Sequence, residues 1–391
     1  MMFSCAPRFR TGLSAAVSLI ALQATPALAF DPTGNEIADA FLTILDTEEG
    51  TVESYGSVDV SGATVTISDL VISNDDEEKE KVTIGSTVLT DGEILDSGRL
   101  KIESLDLTQL ELDADDGGMS LGSVNVTGLV LPSAEEAKAQ QSPVGPGYRT
   151  FEAATIKVRD EDGKVAEIEK ISSSIDGMDG DLPTSGKFAI TGATIDVKEI
   201  EADEAKSLTE LGYETLSLDL SGSGKWNPDA ATIDVPELKI DAKDAASLTV
   251  SFSLGGVTRD VVTQLDDTSE NPEEAMALLQ NVTITNAKIR LDDQSLTGRI
   301  LDQEAEKAGV EVPVYVAGLT GSLPLMLGML QNKELEGKVT EAVTEFLTTP
   351  GSLELTASPG TPVPVAQIVG TAMLAPQMIP QILSIGITAN Q

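Results

Sequence analysis

Phe188-Ala189-Ile190-Thr191-Gly192-Ala193-Thr194-Ile195-Asp196-Val197 alternates apolar residues, skips one beat at Thr191-Gly192, and alternates again. A period of two marks a β-strand with one buried face. The unit recurs at residues 58–67 and 282–291, with Gly62 and Asn286 in the place of Gly192. Leu100, Ile102, Leu105, Leu107, Leu110 and Leu112 contain two more skips, each a spacing of three inside a period of two. A two-residue hairpin needs positive φ at its first central residue, which the β-branched Thr191 and Thr285 resist. Gly and Asn suit a bulge with one left-handed residue. The three units are therefore expected to be single bent strands, not hairpins. Their starts are unequally spaced, so a regular solenoid is not expected.

The first residues read as a secretory signal. Arg8 and Arg10 precede an apolar run at 13–22, and Ala27-Leu28-Ala29 fits a cleavage site. Cleavage after Ala29 would leave residues 30–391 with no cysteine and no histidine, in the periplasm, and would take the net charge from −39 to −41. Such an acidic chain resists self-association and is repelled by nucleic acid, so no nucleic-acid partner is expected. Aromatic residues at 3% argue against stacking platforms. Hydrophobic residues at 41% argue for a packed core.

Along the chain, a helix is expected after Asp31-Pro32, with Ile37, Phe41, Ile44 and Leu45 on one face. Strands follow from near Thr51, with an acidic run at 75–78. Residues 133–150 are the most linker-like, and a soft boundary is placed there between parts 30–132 and 151–391, with one continuous domain as the alternative. Asp160-Glu161-Asp162-Gly163 and Trp226-Asn227-Pro228-Asp229 read as turns. Leu216, Leu218 and Leu220, then Leu248, Val250, Phe252 and Leu254, alternate with polar residues, as in an antiparallel sheet with one wet side. Helices are expected at 202–211, 257–265, from Asn271-Pro272, from Asp293 to Gly309, at 333–347 and at 365–374. Final strands are expected at Leu353-Glu354-Leu355 and 383–388.

Without histidine or cysteine in 30–391, neither a Ser-His-Asp triad nor a Cys-His dyad can form there, and neither can a His- or thiolate-ligated metal site. Phosphate-loop and dinucleotide motifs are missing from the sequence. A carboxylate-pair hydrolase stays formally open, but abundant acids are not a motif. Asp113/Asp115/Asp116, Asp160/Asp162 and Asp176/Asp179/Asp181 lack EF-hand spacing and read as solvated turns, with weak calcium binding as the sharper alternative. No cofactor is expected. The apolar run 313–330 reads either as a buried helix pair closing the core or as the plug, gate or lining of a lipid groove. Pro324, Gly318, Gly321 and Gly328 disfavour a membrane span.

Leu211-Gly212-Tyr213-Glu214, Asp292-Asp293-Gln294-Ser295-Leu296-Thr297, Phe346-Leu347-Thr348-Thr349-Pro350-Gly351-Ser352-Leu353, Pro362-Val363-Pro364-Val365 and Thr388-Ala389-Asn390 resemble, in their order, a group of uncharacterised secreted alphaproteobacterial proteins. That resemblance supplies no site. The strand-rich body more loosely resembles AsmA-like envelope proteins, which implies a long curved sheet, an apolar trough and a role in lipid handling or envelope upkeep.

The expected fold is α+β and mainly β: an elongated, bent antiparallel sheet with helices on its apolar face, supplied by 30–48 and 256–348. The expected function is non-enzymatic binding or chaperoning of a lipid or other apolar envelope component. The trough would be lined by Leu216, Leu218, Leu220, Val250, Phe252, Leu325, Met326 and Met329. The alternative is a structural or protein-interaction module with a dry core and an envelope protein as partner.

Overall fold

A computed structural model describes residues 30–46, 51–73, 80–138, 147–200, 202–267, 277–328 and 331–391. The expected leader, the acidic run at 75–78, most of 140–147, the helix start at Asn271 and the site residue Met329 lie outside the described residues. The chain is α+β and mainly antiparallel β, in two compact units.

The first unit begins with α1 (Glu36–Leu45). Asn35 caps it, its side chain accepting from the Ile37 and Ala38 amides at 3.0 Å. Strands β1 (Thr51–Ser54), β2 (Val58–Ser61), β3 (Thr64–Ser73), β4 (Lys81–Ile94), β5 (Leu100–Ala114) and β6 (Gly117–Leu131) follow. After the short helix α2 (Ala134–Lys138) come β7 (Thr150–Asp160) and β8 (Val165–Asp179). Strand β1 pairs with β3, β2 adds to β3, and β3 to β8 pair in chain order, all antiparallel. The segment 133–150 joins the paired strands β6 and β7, so the boundary expected there falls inside one unit. The division instead lies within β9 (Leu182–Asp196), which contributes residues to both units.

The spacing of three proves to be a property of the whole unit. Ile67, Thr87, Leu107, Val124, Ala153 and Ile171 form one cross-strand row. Leu70, Ile84, Leu110, Leu121, Ile156 and Ile168 form the next, three residues away on every strand. Between the rows, Asp69, Gln109 and Thr155 on alternate strands take φ of 49°, 56° and 57°. Gly85 and Gly122 occupy the intervening strands. A side chain at Gly122 would bring its Cβ to 3.0 Å from Thr155 Cβ. Because each strand carries the same extra residue, the register survives and both rows stay on the inner face. A second crossing separates Ile102 from Leu105, with Asp91 and Gly128 at φ 50° and 60°.

The three sequence units diverge. Residues 188–196 are one continuous strand with Gly192 at φ 63°. Residues 283–291 also lie in one strand, β13 (Thr283–Asp293), where Thr285 is the extra residue opposite Ser253 and Leu254. Asn286 takes no left-handed φ there. Residues 58–67 are a tight hairpin, contrary to expectation: Val58 pairs with Ile67 and Ser61 with Thr64. The turn is shifted by one residue, so that Gly62, at φ 63°, and not Ser61 takes the first central position.

Phe41, Leu42 and Ile44 of α1 join Val52, Ile67, Leu70, Leu89, Leu100, Ile102, Leu121 and Ile156 in one buried cluster. The ten-residue helix and the inner-face side chains of β1 and β3 to β7 make up this one cluster together. The Thr87 hydroxyl lies in this core, fully buried and without a hydrogen-bond partner. At the margin, Ser133 and Glu136 form a reciprocal capping box on α2. Arg99 donates to both Glu136 oxygens at 2.7–3.0 Å. The Arg99 hydrogen bonds, then the Ser133 amide, lower the Glu136 carboxyl to about 2.

Two outcomes are expected. Thr87→Val removes an unpaired hydroxyl while keeping the shape, so it should raise stability by about 1 kcal/mol in urea unfolding; a loss of stability contradicts the assigned environment. The Glu136 clasp, its folded pKa depressed, stabilises fully above the ordinary carboxylate range and fades as pH falls toward about 2. The stability gap between the wild type and Glu136→Gln should therefore narrow from about pH 6 to about pH 3, whereas a constant gap contradicts the clasp.

Candidate functional site

The second unit holds the β-strands β10 (Thr215–Asn227), β11 (Thr232–Ala242), β12 (Ala246–Gly255), β13, β14 (Ser352–Ala357) and β16 (Ile385–Ala389), paired in that order. The two-residue strand β15 (Val363–Pro364) adds to β13. Its helices are α3 (Ala202–Glu210), α4 (Arg259–Asp267), α5 (Leu296–Ala308), α6 (Val312–Leu327), α7 (Lys333–Thr348), α8 (Val365–Leu374) and α9 (Ile379–Ile382).

Alternation places every second residue of these strands on one apolar face. Leu220, Ile240, Leu248, Leu291 and Leu353 form one cross-strand row. Leu238, Val250, Ile289, Leu355 and Ile387 form the next. A third runs Val235, Phe252, Ala287, Ala357, Ile385. The expected lining residues Leu216, Leu218, Leu220, Val250 and Phe252 thus share one face. Ile240, Ile289 and Leu355 belong with them and are not among the residues expected to line a site. The alternations Leu238/Ile240, Ile289/Leu291 and Leu353/Leu355 carry the missing signal.

The helices cover this face only at its margins. Phe346 and Ala342 of α7 pack with Ala389, Leu291, Leu353 and Ile387. Around Val363 and Leu383, Ile368 of α8 and Ile379 of α9 pack with Ala287, Ala357 and Ile385. At a third margin, Leu208 of α3 and Leu296 of α5 pack with Tyr213, Ala245, Leu216 and Ala242. Between the margins the aliphatic side chains stay open: Leu218 is 39%, Ile240 47%, Leu248 37%, Ile289 44% and Leu355 40% exposed.

The described part of the apolar run, 313–328, does not close the core, contrary to the first of the two readings of 313–330. Helix α6 packs chiefly on α5 and α7, and Val316 is its buried residue. Open space surrounds Gly318, Gly321 and Gly328. Leu325 and Met326 are 86% and 63% exposed and are not among the residues packed against the sheet. The physical reason is composition: α6 is apolar on all sides, so it has no single stripe to direct onto the sheet.

The opposite face is wet and ionic. Arg290 donates to both Asp292 oxygens at 2.8–3.0 Å and to Glu354 at 3.4 Å. These bonds, Asp292 first, raise the Arg290 pKa further. The acidic clusters lie at or near strand ends and the turns that join them. Asp160 accepts from the Asp162 and Lys164 amides, and Asp113 pairs with Arg159 at 3.2 Å. Among the described residues no group of three His, Cys, Asp or Glu side chains could hold a metal ion.

The residues that carry the sequence resemblance have architectural roles. The Ala245 carbonyl accepts from the Gln294, Ser295 and Leu296 amides, and Asp293 accepts from the Thr297 amide at 2.8 Å at the start of α5. Arg299 of α5 donates to the Leu211 and Gly212 carbonyls at 2.8 and 3.2 Å and lies 4.5 Å from the Tyr213 ring centre. Asn390 accepts from the Ser352 amide and donates to the Thr349 carbonyl. Trp226 is buried and donates to the Val257 carbonyl at 2.8 Å, as a sheet-end core residue.

A protein-family model described as "Uncharacterized protein" matches residues 239–390, which begin in β11 and end just past β16. No curated protein matches the chain.

Arg299→Ala removes the hydrogen bonds to the Leu211 and Gly212 carbonyls, a third to the Ser295 hydroxyl at 3.0 Å, and the stacked contact, so it should lower stability by about 2 kcal/mol. Arg299→Lys should not restore it, because one ammonium cannot reproduce the planar fork. Full rescue by lysine in thermal unfolding contradicts the clamp.

Proposed function

We propose that this is a non-enzymatic protein of the bacterial periplasm that binds or chaperones a lipid, or another apolar envelope component, on the open sheet face of the second unit. The observation that carries the reading is the in-register set Leu218, Ile240, Leu248, Ile289 and Leu355, exposed between covered margins. Surface patches of this kind on a chain with net charge −39 call for a ligand without charge at the contact. The leader-like first residues and the resemblance to secreted alphaproteobacterial proteins favour export, and the looser AsmA-like resemblance favours lipid handling.

Magnitude narrows the ligand. Burying one aliphatic side chain completely is worth about 1.5–3 kcal/mol, so covering five that are near half-exposed is worth on the order of 3–6 kcal/mol. That reaches roughly millimolar affinity and falls short of micromolar. A tight ligand must therefore be long enough to touch the marginal helices as well, as an acyl chain is. The alternative, a dry structural or interaction module, fits the closed core of the first unit but leaves the open face without a role.

Ile240→Asp combined with Ile289→Asp places two carboxylates at the centre of the face. In a retention assay with a fluorescent fatty acid, the pair should weaken binding at least tenfold with an unchanged circular dichroism spectrum. Retention equal to the wild type contradicts the proposal.

A further inference from the structure

Between Glu311 and Lys333 the sequence holds no Asp, Glu, Lys or Arg, and none occurs at 355–391. These are long gaps in a chain with 64 acidic and 25 basic side chains. Both gaps lie in the second unit, and both put apolar side chains into solvent. On α6 these are Val314 at 59%, Leu319 at 39%, Leu325 at 86% and Met326 at 63% exposed. At the end of α8 they are Met373 at 80% and Leu374 at 89% exposed.

A helix that is apolar on all sides is stable where all its sides are out of water. On α6 only the flank at Val316 meets that condition. Its other flanks carry no charged side chain, and the hydroxyls of its polar residues Thr320 and Ser322 are spent on the Val316 and Leu319 carbonyls of the helix itself. A second copy of the chain is a poor cover, because two chains of charge −39 repel. A polar partner gains nothing from a surface that offers no charge. The hydrocarbon of a bilayer matches both properties, apolarity and absence of charge. The 16 residues of α6 span about 24 Å at about 1.5 Å per residue, less than a bilayer core of about 30 Å. Consistently, no single described helix is long and apolar enough to cross a membrane. The polar helix α7 flanks α6, and Glu336, Glu341 and Glu345 line one open groove with Pro324. That flank has to stay in water, which limits α6 to shallow insertion.

We infer that α6, tip first through Leu325 and Met326, seats the second unit on the surface of a phospholipid bilayer, with the uncharged end of α8 as a further contact. This goes beyond the proposed lipid retention on the sheet face and does not depend on it. The protein's charge sets an unusual signature. Insertion is uncharged while the rest of the chain is acidic, so neutral phosphatidylcholine vesicles should be preferred to anionic ones. Added salt should strengthen binding to the anionic vesicles by screening repulsion.

The test is flotation of the full chain with phosphatidylcholine vesicles. The wild type should float with the vesicles, and Leu325→Glu with Met326→Glu should cut the bound fraction at least tenfold. Both positions are so exposed that the fold should tolerate the change, checked by circular dichroism. In a second variant, Leu325→Trp, the introduced indole should shift its emission to the blue when vesicles are added, against the constant signal of buried Trp226. Wild type that stays at the bottom, or a glutamate pair that floats like wild type, overturns the inference. Emission from the Leu325→Trp variant that does not shift, or binding to anionic vesicles that falls with salt, does so as well. Sheet-face retention is scored on free fatty acid and flotation on intact bilayers, so failure of one is distinguishable from failure of the other.

Discussion

Ile67, Thr87, Leu107, Val124, Ala153 and Ile171 lie side by side across six strands, and keeping that row and its neighbours out of water organises the first unit. A strand can shift which residues face inward only by inserting one. Here each strand inserts at the same level, and the left-handed residues Asp69, Gln109 and Thr155 alternate with Gly85 and Gly122. Each insertion has room because its neighbour has a glycine or its own matching insertion. The result is one buried cluster that joins the inner face of the strands to α1.

The second unit meets the same demand incompletely. Its apolar rows are continuous across β10 to β16, yet α7, α8, α9 and the α3–α5 corner cover only the margins. The one described helix with enough apolar surface to complete the cover, α6, packs on its helical neighbours and faces solvent. Two apolar surfaces therefore stand open in a chain whose other surfaces are densely acidic. Function is placed on these surfaces because folding alone does not explain their exposure.

Much of this is legible in the sequence. Helices at 296–308 and 333–348 follow from periodicity, with Gly309 at φ 69° ending the first. The spacing of three in β5 is readable too, because Leu and Ile mark both sides of each skip. Its alignment across neighbouring strands is not, since register is a relation between distant segments. The hairpin at Gly62 escapes a sequence reading because a bulge and a two-residue turn share the same glycine signal, and only the partner strand decides between them. The apolar face of β10 and β12 follows from alternation. The openness of the face is not readable, because it depends on where α6 packs, and an all-round apolar helix does not announce its partner. The motifs at Leu211, Asp292 and Ser352 look like signatures and prove to be loop clamps.

The central claim is that the open face of the second unit holds an apolar ligand. Native mass spectrometry of the protein released gently from cells that make it tests this most directly. The account predicts a reproducible mass above the bare chain that corresponds to a lipid and disappears on organic extraction. A clean mass of the bare chain after gentle release would contradict it.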